Sequence, residues 1–441
     1  MSELENEDEF YFPWDLDWRG RMYPATTIIS PQGSDLCKGL LEFADGTPLG
    51  RNGARWLAIH LCNLAGQDKM LIDGRKVQRT PDERAAWTEA NEETILRAAS
   101  DPLAHREWQT MDKPWQFLAA CIEWAGYRSE GDAFRSRIAG ALDGSCSGVQ
   151  MLAGMTRDAS AGAMVNLVPA ERGDDYYGRM ADALIKRLIN LVRYADSETM
   201  AHLTFWQEFK IDRDLLKAPS MTKVYSAGTF TFGEQVAKKT GADEQECIWL
   251  AAQINRCFAD VAPGMLQAME YVQGVSDVLT AAGHTLQWLT PAGLAVEQAR
   301  YCRKTVELTR GTKGKDARRY DFTIETYQLN KRAQRAGVSP NFVHGVDAAH
   351  MVYVINDLHA RGVRNFWMIH DSFGAPLAQC SNVFDASREQ FARLMSRDLL
   401  AEWTEHVTAV LTPEQKAQLP PLPEYGTLNI EQVKESIYAW F

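Results

Sequence analysis

Two aspartates, each standing where an apolar run meets a turn, constrain the fold of this 441-residue chain more than any other feature. Asp143 ends the run 138–143, and Asp371 follows the run 365–370. Apolar runs that stop at such points predict short strands followed by tight turns. After Asp371 we expect regular structure to resume only beyond Pro376, because glycine, alanine and proline precede that point. Both carboxylates are therefore predicted at turns, where a side chain can reach a ligand.

A stripe of residues spaced by four lies between the two aspartates in the sequence. Arg213, Lys217, Met221 and Tyr225 are predicted on one face of a helix, which Pro219 should bend. Arginine and lysine near the beginning of that face can bind a triphosphate, and the amides at the helix end add positive potential. The alternative is an ordinary amphipathic helix with two solvated cations, because the spacing alone is common.

The two carboxylates suggest a site for hard metal ions. Two Mg²⁺ ions roughly 3.5–4 Å apart can activate a hydroxyl and neutralise a leaving pyrophosphate. Mg²⁺ prefers oxygen ligands, which Asp143, Asp371 and the backbone carbonyl of Gly144 can supply. Taken singly, an aspartate at a turn is more often a capping residue than a metal ligand. The combination with the cationic helix is what favours metal-assisted phosphoryl transfer.

Composition narrows the class of protein without identifying a function. The chain is 45% hydrophobic and 24% charged, which is typical of a globular enzyme, and its length predicts two or more subdomains. No apolar run is long enough for a transmembrane helix, and the acidic residues 1–9 are unlike a secretion signal. The eight cysteines contain no C-x-x-C pair, which argues against a zinc site or a disulfide framework and favours reduced thiols in a cytoplasm.

The net charge of −11 argues against nucleic-acid binding by the chain as a whole, but the charge is unevenly distributed. Eleven basic and only four acidic residues lie between Arg300 and Arg335. A basic arm on an acidic body can bind phosphates. A solvated hairpin rich in lysine and arginine is the alternative interpretation.

A set of motifs in family order resembles the single-subunit, phage-type RNA polymerases. It runs from about residue 10 to residue 441 and includes the 213–225 helix. The other motifs are Asp17-Trp-Arg-Gly-Arg21, Pro31-Gln-Gly33, Lys38-Gly-Leu-Leu41, Asp143-Gly-Ser-Cys-Ser-Gly-Val-Gln150, Val165-Asn-Leu-Val-Pro169, Thr290-Pro291, Asn341-Phe-Val-His344 and His370-Asp-Ser-Phe-Gly374.

The resemblance implies a mixed, helix-rich α/β fold: the palm and fingers of a right-hand polymerase, with an antiparallel palm sheet surrounded by helices. Residues 1–9 would be an acidic tail and 10–160 the first part of the palm. Residues 161–343 would form the fingers and 344–441 the second part of the palm with the C-terminal tail. The fingers would include a nucleotide-binding helix at 212–226 and a basic hairpin at about 300–327. The family's N-terminal domain and thumb are expected to be absent.

The resemblance also implies roles at the reacting phosphate. Asp143 and Asp371 would be the catalytic, metal-binding carboxylates, with the carbonyl of Gly144 as an added ligand for two Mg²⁺ ions. Arg213 and Lys217 would bind the incoming triphosphate. Lys217 would in addition protonate pyrophosphate as a general acid.

Ribose recognition is implied at Tyr225 and His344, with His344 at the 2′-hydroxyl. Family-A DNA polymerases resemble this layout but carry a glutamate five residues after the first catalytic aspartate, where it blocks a 2′-hydroxyl. Gly148 occupies that position here and leaves space, which favours ribonucleotides. One departure is Ser226, because the family usually has glycine directly after the tyrosine, and glycine alone visits left-handed conformations cheaply.

Contacts to nucleic acid follow from the same resemblance. Arg19, Arg21 and Lys38 would lie along the template–product hybrid, and His370 near the product 3′ end. The basic hairpin would enter the major groove of a promoter, with contacts from residues such as Arg303 and Arg310.

The function implied is DNA-templated RNA synthesis, with a DNA template, an RNA product and nucleoside triphosphates as partners. A second polypeptide supplying thumb and promoter recognition is expected, although a reduced self-sufficient enzyme and an inactive remnant stay open. The rival hypotheses are a non-catalytic nucleic-acid-binding remnant and, in the same class, a family-A-like DNA polymerase. No membrane partner is expected, and the implied location is the cytoplasm of an infected or lysogenic bacterial host.

Overall fold

The computed structural model describes residues 7–26, 29–72, 75–310 and 318–441. The side chains of residues 75, 309, 310 and 318 also lie outside the description. Within these ranges the chain is a mixed, helix-rich α/β protein with small antiparallel sheets, which confirms the predicted fold class.

The strands are short except in one hairpin. They are β1 Trp14–Leu16, β2 Met22–Pro24, β3 Thr47–Pro48, β4 Lys69–Ile72, β5 Arg75–Gln78, β6 Arg135–Ser136, β7 Ala139–Asp143, β8 Leu286–Leu289, β9 Ala295–Gln298, β10 Tyr301–Arg310, β11 Arg318–Leu329, β12 Trp367–Ile369 and β13 Ser372–Pro376.

The helices carry most of the buried surface. They are α1 Asp35–Gly39, α2 Gly50–Leu64, α3 Pro81–Ala90, α4 Glu92–Ser100, α5 Pro114–Glu130, α6 Ser147–Thr156, α7 Ala159–Met164, α8 Tyr176–Leu191, α9 Ser197–Trp206, α10 Arg213–Lys223, α11 Thr229–Thr240, α12 Glu244–Val261, α13 Pro263–Ala281, α14 Lys331–Ala360, α15 Cys380–Met395, α16 Leu399–Thr408 and α17 Pro413–Lys416.

A three-stranded antiparallel sheet in the order β12-β13-β7 joins two distant parts of the chain. The expected irregular stretch up to Pro376 is wrong, because β13 begins at Ser372, directly after Asp371. Gly374 belongs to the strand interior, where a Cβ atom would lie only 2.9 Å from the carbonyl oxygen of Trp367. The glycine thus marks a close approach of two strands rather than a turn.

Helix α6 follows β7 and forms the centre of the packing. All ten of its residues are buried, against α13 and α14 among others. The sequence pattern predicts a helix over residues 346–361, whereas helix α14 begins at Lys331, 15 residues earlier, and continues through Pro340. The proline removes one helical hydrogen bond, yet its neighbours Val338 and Phe342 are buried. Tertiary packing therefore outweighs the local cost of the proline.

The last residues of the described chain pack against the strand that carries Asp143. The amide of Phe441 donates to the carbonyl oxygen of Asp143 at 3.1 Å, and the amide of Ser145 donates to that of Ala439 at 3.1 Å. Trp440 is 1% exposed, as expected for an apolar tail that docks. Residues more than 290 positions apart in the sequence thus meet beside Asp143.

Two further features bear on the sequence-based expectations. The sequence pattern predicts a helix over residues 81–100, but the structure divides it into α3 and α4 at Asn91, where the backbone leaves the helical conformation (φ −106°, ψ 12°). No helix within the described ranges is long and apolar enough to cross a membrane.

Candidate active site

The sheet brings the two predicted carboxylates to the same end. Ser372 pairs with Asp143 across β13 and β7, so Asp371 lies beside Gly144. The Gly144 amide donates to the carbonyl oxygen of Asp371 at 3.2 Å. His370 and Asp371 form the two-residue turn between β12 and β13, with His370 in a left-handed conformation (φ 55°).

The electrostatics of this pair suit a cation. Burial raises the pKa of Asp371, and the nearby charge of Asp143 acts in the same direction. The hydroxyl of Ser147 and the guanidinium of Arg21 partly oppose that shift. A positively charged ligand at this end of the sheet would relieve the repulsion between the two carboxylates.

The oxygen atoms at this end of the sheet are of the kind that Mg²⁺ prefers. Carboxylate oxygens are offered by Asp143, which is exposed, and by Asp371. The carbonyl oxygen of Gly144 accepts one hydrogen bond, from the Cys146 amide at 3.0 Å, and keeps a second lone pair. No group of three or more His, Cys, Asp or Glu side chains in the described part of the chain is arranged to hold a metal ion. Mg²⁺ commonly binds through one or two carboxylates plus substrate phosphates, so the residues present fit it.

Sequence patterns did not identify a third carboxylate that lies near the site. Asp347 of α14 is 2% exposed and forms a 2.7 Å ion pair with Arg21. Burial, together with the charge of Asp371, raises the pKa of Asp347 to about 6, while Arg21 acts to lower it. One sequence signal could have identified Asp347: it lies three residues after His344, a spacing that places the two side chains on one face of a helix. Arg21, predicted along the hybrid, is thus held in a buried ion pair.

Arg19 also has a partner that the sequence did not indicate. Its guanidinium forms an ion pair with Asp17 at 2.6 Å and approaches Nδ1 of His344 at 2.9 Å. Burial lowers the pKa of His344 to about 3, and the charges of Arg21 and Arg19 add to the effect. A guanidinium can only donate, so Nδ1 of the neutral imidazole accepts and Nε2 carries the proton.

His344 and Tyr225, the two predicted sugar contacts, lie together. Their ring centroids are 4.7 Å apart. A Cβ atom at Gly148 would lie 2.7 Å from Cγ2 of Val224 and 3.6 Å from the hydroxyl of Tyr225. The absence of a side chain at Gly148 therefore allows α6 to approach this pair, and a larger residue would displace Val224.

Helix α10 carries the predicted triphosphate ligands. Arg213 forms a 2.5 Å ion pair with Asp175 and lies over the ring of Tyr177. Lys217 is exposed, and no described residue forms an ion pair with it. A further cation was missed: Lys69 of β4, whose pKa is lowered by burial and also by the charges of Arg213 and Lys217. Arg213, Lys217 and Lys69 therefore lie near one another, and together they could bind an anionic ligand.

Tyr225 lies beyond the helix, which ends at Lys223, rather than within the predicted 212–226. The chain turns at Ser226, which has a left-handed backbone (φ 64°). The structure thus confirms that this position demands the conformation that glycine adopts at little cost.

We expect Ser226→Gly to raise the free energy of unfolding by about 1 kcal/mol. The left-handed conformation costs a non-glycine residue roughly 1–2 kcal/mol, part of which is offset by the greater freedom of glycine in the unfolded chain. Urea unfolding measures the change. Ser396→Gly is the matched control, because Ser396 also follows a helix but has φ −68° and should lose stability on the same change. Equal losses for both variants would contradict the expectation.

The residues predicted to contact nucleic acid lie in different surroundings. His370 packs edge-on against Tyr23 at 4.9 Å, and burial lowers its pKa to about 4. Lys38 lies in the last turn of α1 and is partly exposed. The positions of His370 and Lys38 do not test their predicted contacts with a template–product hybrid, so both contacts stay predictions.

The predicted basic hairpin is an antiparallel ribbon of β10 and β11. Arg303 is paired with Glu325 at 3.2 Å, and Arg319 with Glu307 at 3.2 Å. The opposite face is apolar and exposed, a feature not anticipated from the basic composition; it carries Leu308, Tyr320, Phe322 and Ile324. The side chain of Arg310 and the whole of residues 311–317 lie outside the described residues.

Comparisons with known proteins identify the family of this chain. A family model described as DNA-dependent RNA polymerase matches residues 47–417. T7 RNA polymerase of Escherichia phage T7 is 30% identical over 489 aligned residues, covering 100% of this chain and 54% of that protein. DNA-directed RNA polymerase 2, chloroplastic/mitochondrial, of Arabidopsis thaliana is 31% identical and covers 99% of this chain and 43% of that protein. The chain spans about half the length of the curated relatives it matches.

A solved structure gives a more distant likeness. The POL domain of Pol1 from M. smegmatis, in complex with DNA primer-template and dNTP, aligns with 78% of this chain and 61% of that chain. The identity is 14% and the TM-score 0.34, a level at which the likeness carries no argument.

Proposed function

This chain belongs to the single-subunit, phage-type family of DNA-dependent RNA polymerases, and we propose that it adds ribonucleotides to an RNA 3′ end on a DNA template. The observation that carries the proposal is the pairing of β7 with β13, which puts Asp143 and Asp371 at one end of the sheet. Lys217 and its neighbouring cations supply the complementary site for a triphosphate. The relatives' names support RNA synthesis as the reaction.

Asp143, Asp371 and the carbonyl oxygen of Gly144 would hold two Mg²⁺ ions. When bound, these ions would lower the pKa of the RNA 3′-hydroxyl and neutralise charge on the transferred phosphate. The exposure of Asp143 leaves its carboxylate accessible to a metal ion from solvent. The buried position of Asp371 and its hydrogen bonds limit movement of the second ligand.

Arg213, Lys217 and Lys69 are proposed to bind the triphosphate. Lys217 is exposed and would donate a proton to the leaving pyrophosphate. Arg213 is oriented by Asp175 and Tyr177, so its guanidinium is held before the substrate arrives. An ordered cation loses less side-chain entropy on binding than a mobile one.

His344 is proposed to donate a hydrogen bond from Nε2–H to the 2′-oxygen of the ribose, with Tyr225 beside it. Arg19 fixes this donor because its guanidinium occupies Nδ1. The low pKa of His344 keeps the imidazole neutral at physiological pH, so the donor persists without a second charge. This arrangement favours ribonucleotides over deoxyribonucleotides.

We expect His344→Ala to reduce the preference for ATP over dATP by about 5- to 150-fold, since a lost or unmatched hydrogen bond costs about 1–3 kcal/mol. The measurement is the ratio of kcat/KM for the two nucleotides on one scaffold. Arg19→Met should reduce the same ratio by a smaller factor, because the imidazole remains but its tautomer is no longer fixed. His406→Ala, at an exposed histidine on α16, is the control. An unchanged ratio in His344→Ala would exclude the assigned role.

The remaining assignments belong to the same proposal. Lys38, Arg19 and His370 would contact the template–product hybrid, while Arg21 acts through its ion pair with Asp347. The β10–β11 ribbon would read a promoter. Arg303 would leave its ion pair with Glu325 and bind a DNA phosphate, and Arg310 would make a further contact to the DNA. Residues 10–160 and 344–441 would form the palm and 161–343 the fingers.

The proposal includes a second polypeptide that supplies thumb and promoter functions. The relatives from phages support action in the cytoplasm of an infected or lysogenic bacterium.

Extension of a labelled RNA primer annealed to a DNA template, with Mg²⁺ and four ribonucleotides, tests the proposal without promoter binding. Growth of the primer is expected. Binding of the scaffold with a steep salt dependence, but without growth, would favour the non-catalytic remnant. Primer growth only when deoxyribonucleotides replace the ribonucleotides would favour the DNA polymerase, an alternative that Gly148 argues against.

A further inference from the structure

A cavity of about 530 Å³ lies away from the two catalytic aspartates. It is formed where residues 7–14 and 41–45 face β12 and the helix α14, and we call it the N-terminal groove. Its walls are apolar and include Phe10, Phe12, Trp14, Phe43, Met351 and Trp367. This volume is in the range of sites that bind a ligand or several side chains.

The rim of the groove is acidic. Five exposed carboxylates line it: Glu7, Asp8, Glu9, Glu42 and Asp45. The cation in its lining is Arg364, whose guanidinium donates to the carbonyl oxygens of His359 and Val363 at 2.8 and 3.0 Å.

Two observations limit what can occupy this groove. The ring of Tyr11 lies in the negative field, since its pKa is raised by Glu9 and by Asp45. The same field would repel the phosphates of a template or product strand. The groove is therefore unsuited to nucleic acid and suited to an apolar segment that carries positive charge.

The groove is also connected to the site by the sheet. Trp367 and Met368 of β12 line it, and Asp371 follows the end of that strand by two residues. β12 is one of the two edge strands of that sheet. A segment bound here would contact the strand that leads into the catalytic turn.

We propose that the N-terminal groove docks a segment of the second polypeptide, with apolar side chains in the cavity and lysine or arginine side chains against its acidic rim. The inference rests on the proposed function for the existence of that polypeptide. Charge complementarity selects the occupant: apolar walls give the contact area, and five carboxylates select a basic partner.

The test uses three synthetic 16-residue peptides with the same leucine and phenylalanine positions, separated by lysine, glutamine or glutamate. Fluorescence anisotropy measures their binding to the full chain at two salt concentrations. The lysine peptide should bind, the glutamine peptide at least about tenfold more weakly, and the glutamate peptide weakest, because each charge pair adds modestly and the effects accumulate.

Two triple variants separate the groove from the general negative charge of the chain. Glu9→Gln with Glu42→Gln and Asp45→Asn should weaken the lysine peptide about tenfold. Exposed acids that do not line the groove serve as the control: Glu198→Gln with Glu405→Gln and Glu424→Gln should change binding less than twofold. Trp14→Ser, at a partly exposed wall residue, should also weaken binding, since the apolar contact is lost.

Several outcomes would overturn the proposal: no binding of the lysine peptide, equal losses in both triple variants, or equal binding of all three peptides. Self-association that disappears in the groove triple variant would instead assign the groove to a second copy of this chain. Primer extension by the same preparations is scored separately. Extension without peptide binding rejects the groove alone, whereas peptide binding without extension rejects the catalytic proposal alone.

Discussion

Asp371→Asn is expected to reduce nucleotide addition at least about 10³-fold while the chain stays folded. Loss of a metal ligand removes several kcal/mol of transition-state stabilisation, and each 1.36 kcal/mol corresponds to a factor of ten in rate. The amide has nearly the size of the carboxylate, and the turn is held by backbone contacts such as the 3.2 Å bond from Gly144. Burial raises the pKa of Asp371, which means that burying its charged form is unfavourable. The uncharged asparagine avoids this cost, so the substitution should favour the folded state.

The rate is measured on the preassembled primer–template scaffold, with scaffold binding followed in parallel by anisotropy. Asp143→Asn should show a loss of the same order, since both carboxylates are proposed to hold the same metal ions. Asp82→Asn, at an exposed aspartate paired with Arg55, is the matched control and should retain activity. Extension by Asp371→Asn at the rate of the unmodified chain would show that Asp371 is not a metal ligand.

Arg21→Met is expected to lower the free energy of unfolding by about 3–5 kcal/mol at pH 8, the usual cost of leaving one member of a buried ion pair uncompensated. Its partner Asp347 is 2% exposed, so water cannot replace the guanidinium. Arg55→Met removes an exposed pair with Asp82 and should cost no more than about 1 kcal/mol. The double variant with Asp347→Asn should recover much of the loss.

The deficit should depend on pH in a defined direction. Asp347 already has a raised pKa, near 6, and removing Arg21 raises it further. A raised carboxyl pKa means that stability is fully present below the unfolded value and is lost as pH rises through the folded value. Urea unfolding in EDTA should therefore show a larger deficit at pH 8 than at pH 5. A deficit independent of pH would mean that packing of the arginine stem, rather than the charge of Asp347, causes the loss.

The local parts of the candidate site could be predicted from the sequence. The apolar run before Asp143, the turn after it and the helix from Arg213 all depend on neighbouring residues, and the structure places them where the pattern did. Ser226 was also correctly identified as an unfavourable residue at its turn. These features are set by propensity and periodicity over a few residues.

The long-range partners could not be predicted in this way. Asp347 and Arg21 are 326 positions apart, and Arg19 and His344 are 325 apart, so no local pattern relates them. Pairing of distant segments also explains the missed strand at Ser372, because its glycine fits against a neighbouring strand that the sequence does not reveal. Sequence patterns described which groups are present, while tertiary contacts determined which of them interact.

The contact between the chain's last described residues and the strand of Asp143 sets a time at which the site can form. The hydroxyl of Ser145 donates to the carbonyl oxygen of Tyr438, 293 positions later. At about 5–20 residues per second, a ribosome needs roughly 15–60 s to synthesise that interval. Until residues 438–441 leave the ribosome, the nascent chain holds Asp143 on an incompletely supported strand. Polymerase activity is therefore expected only after this segment is synthesised, and not on the nascent chain during most of translation.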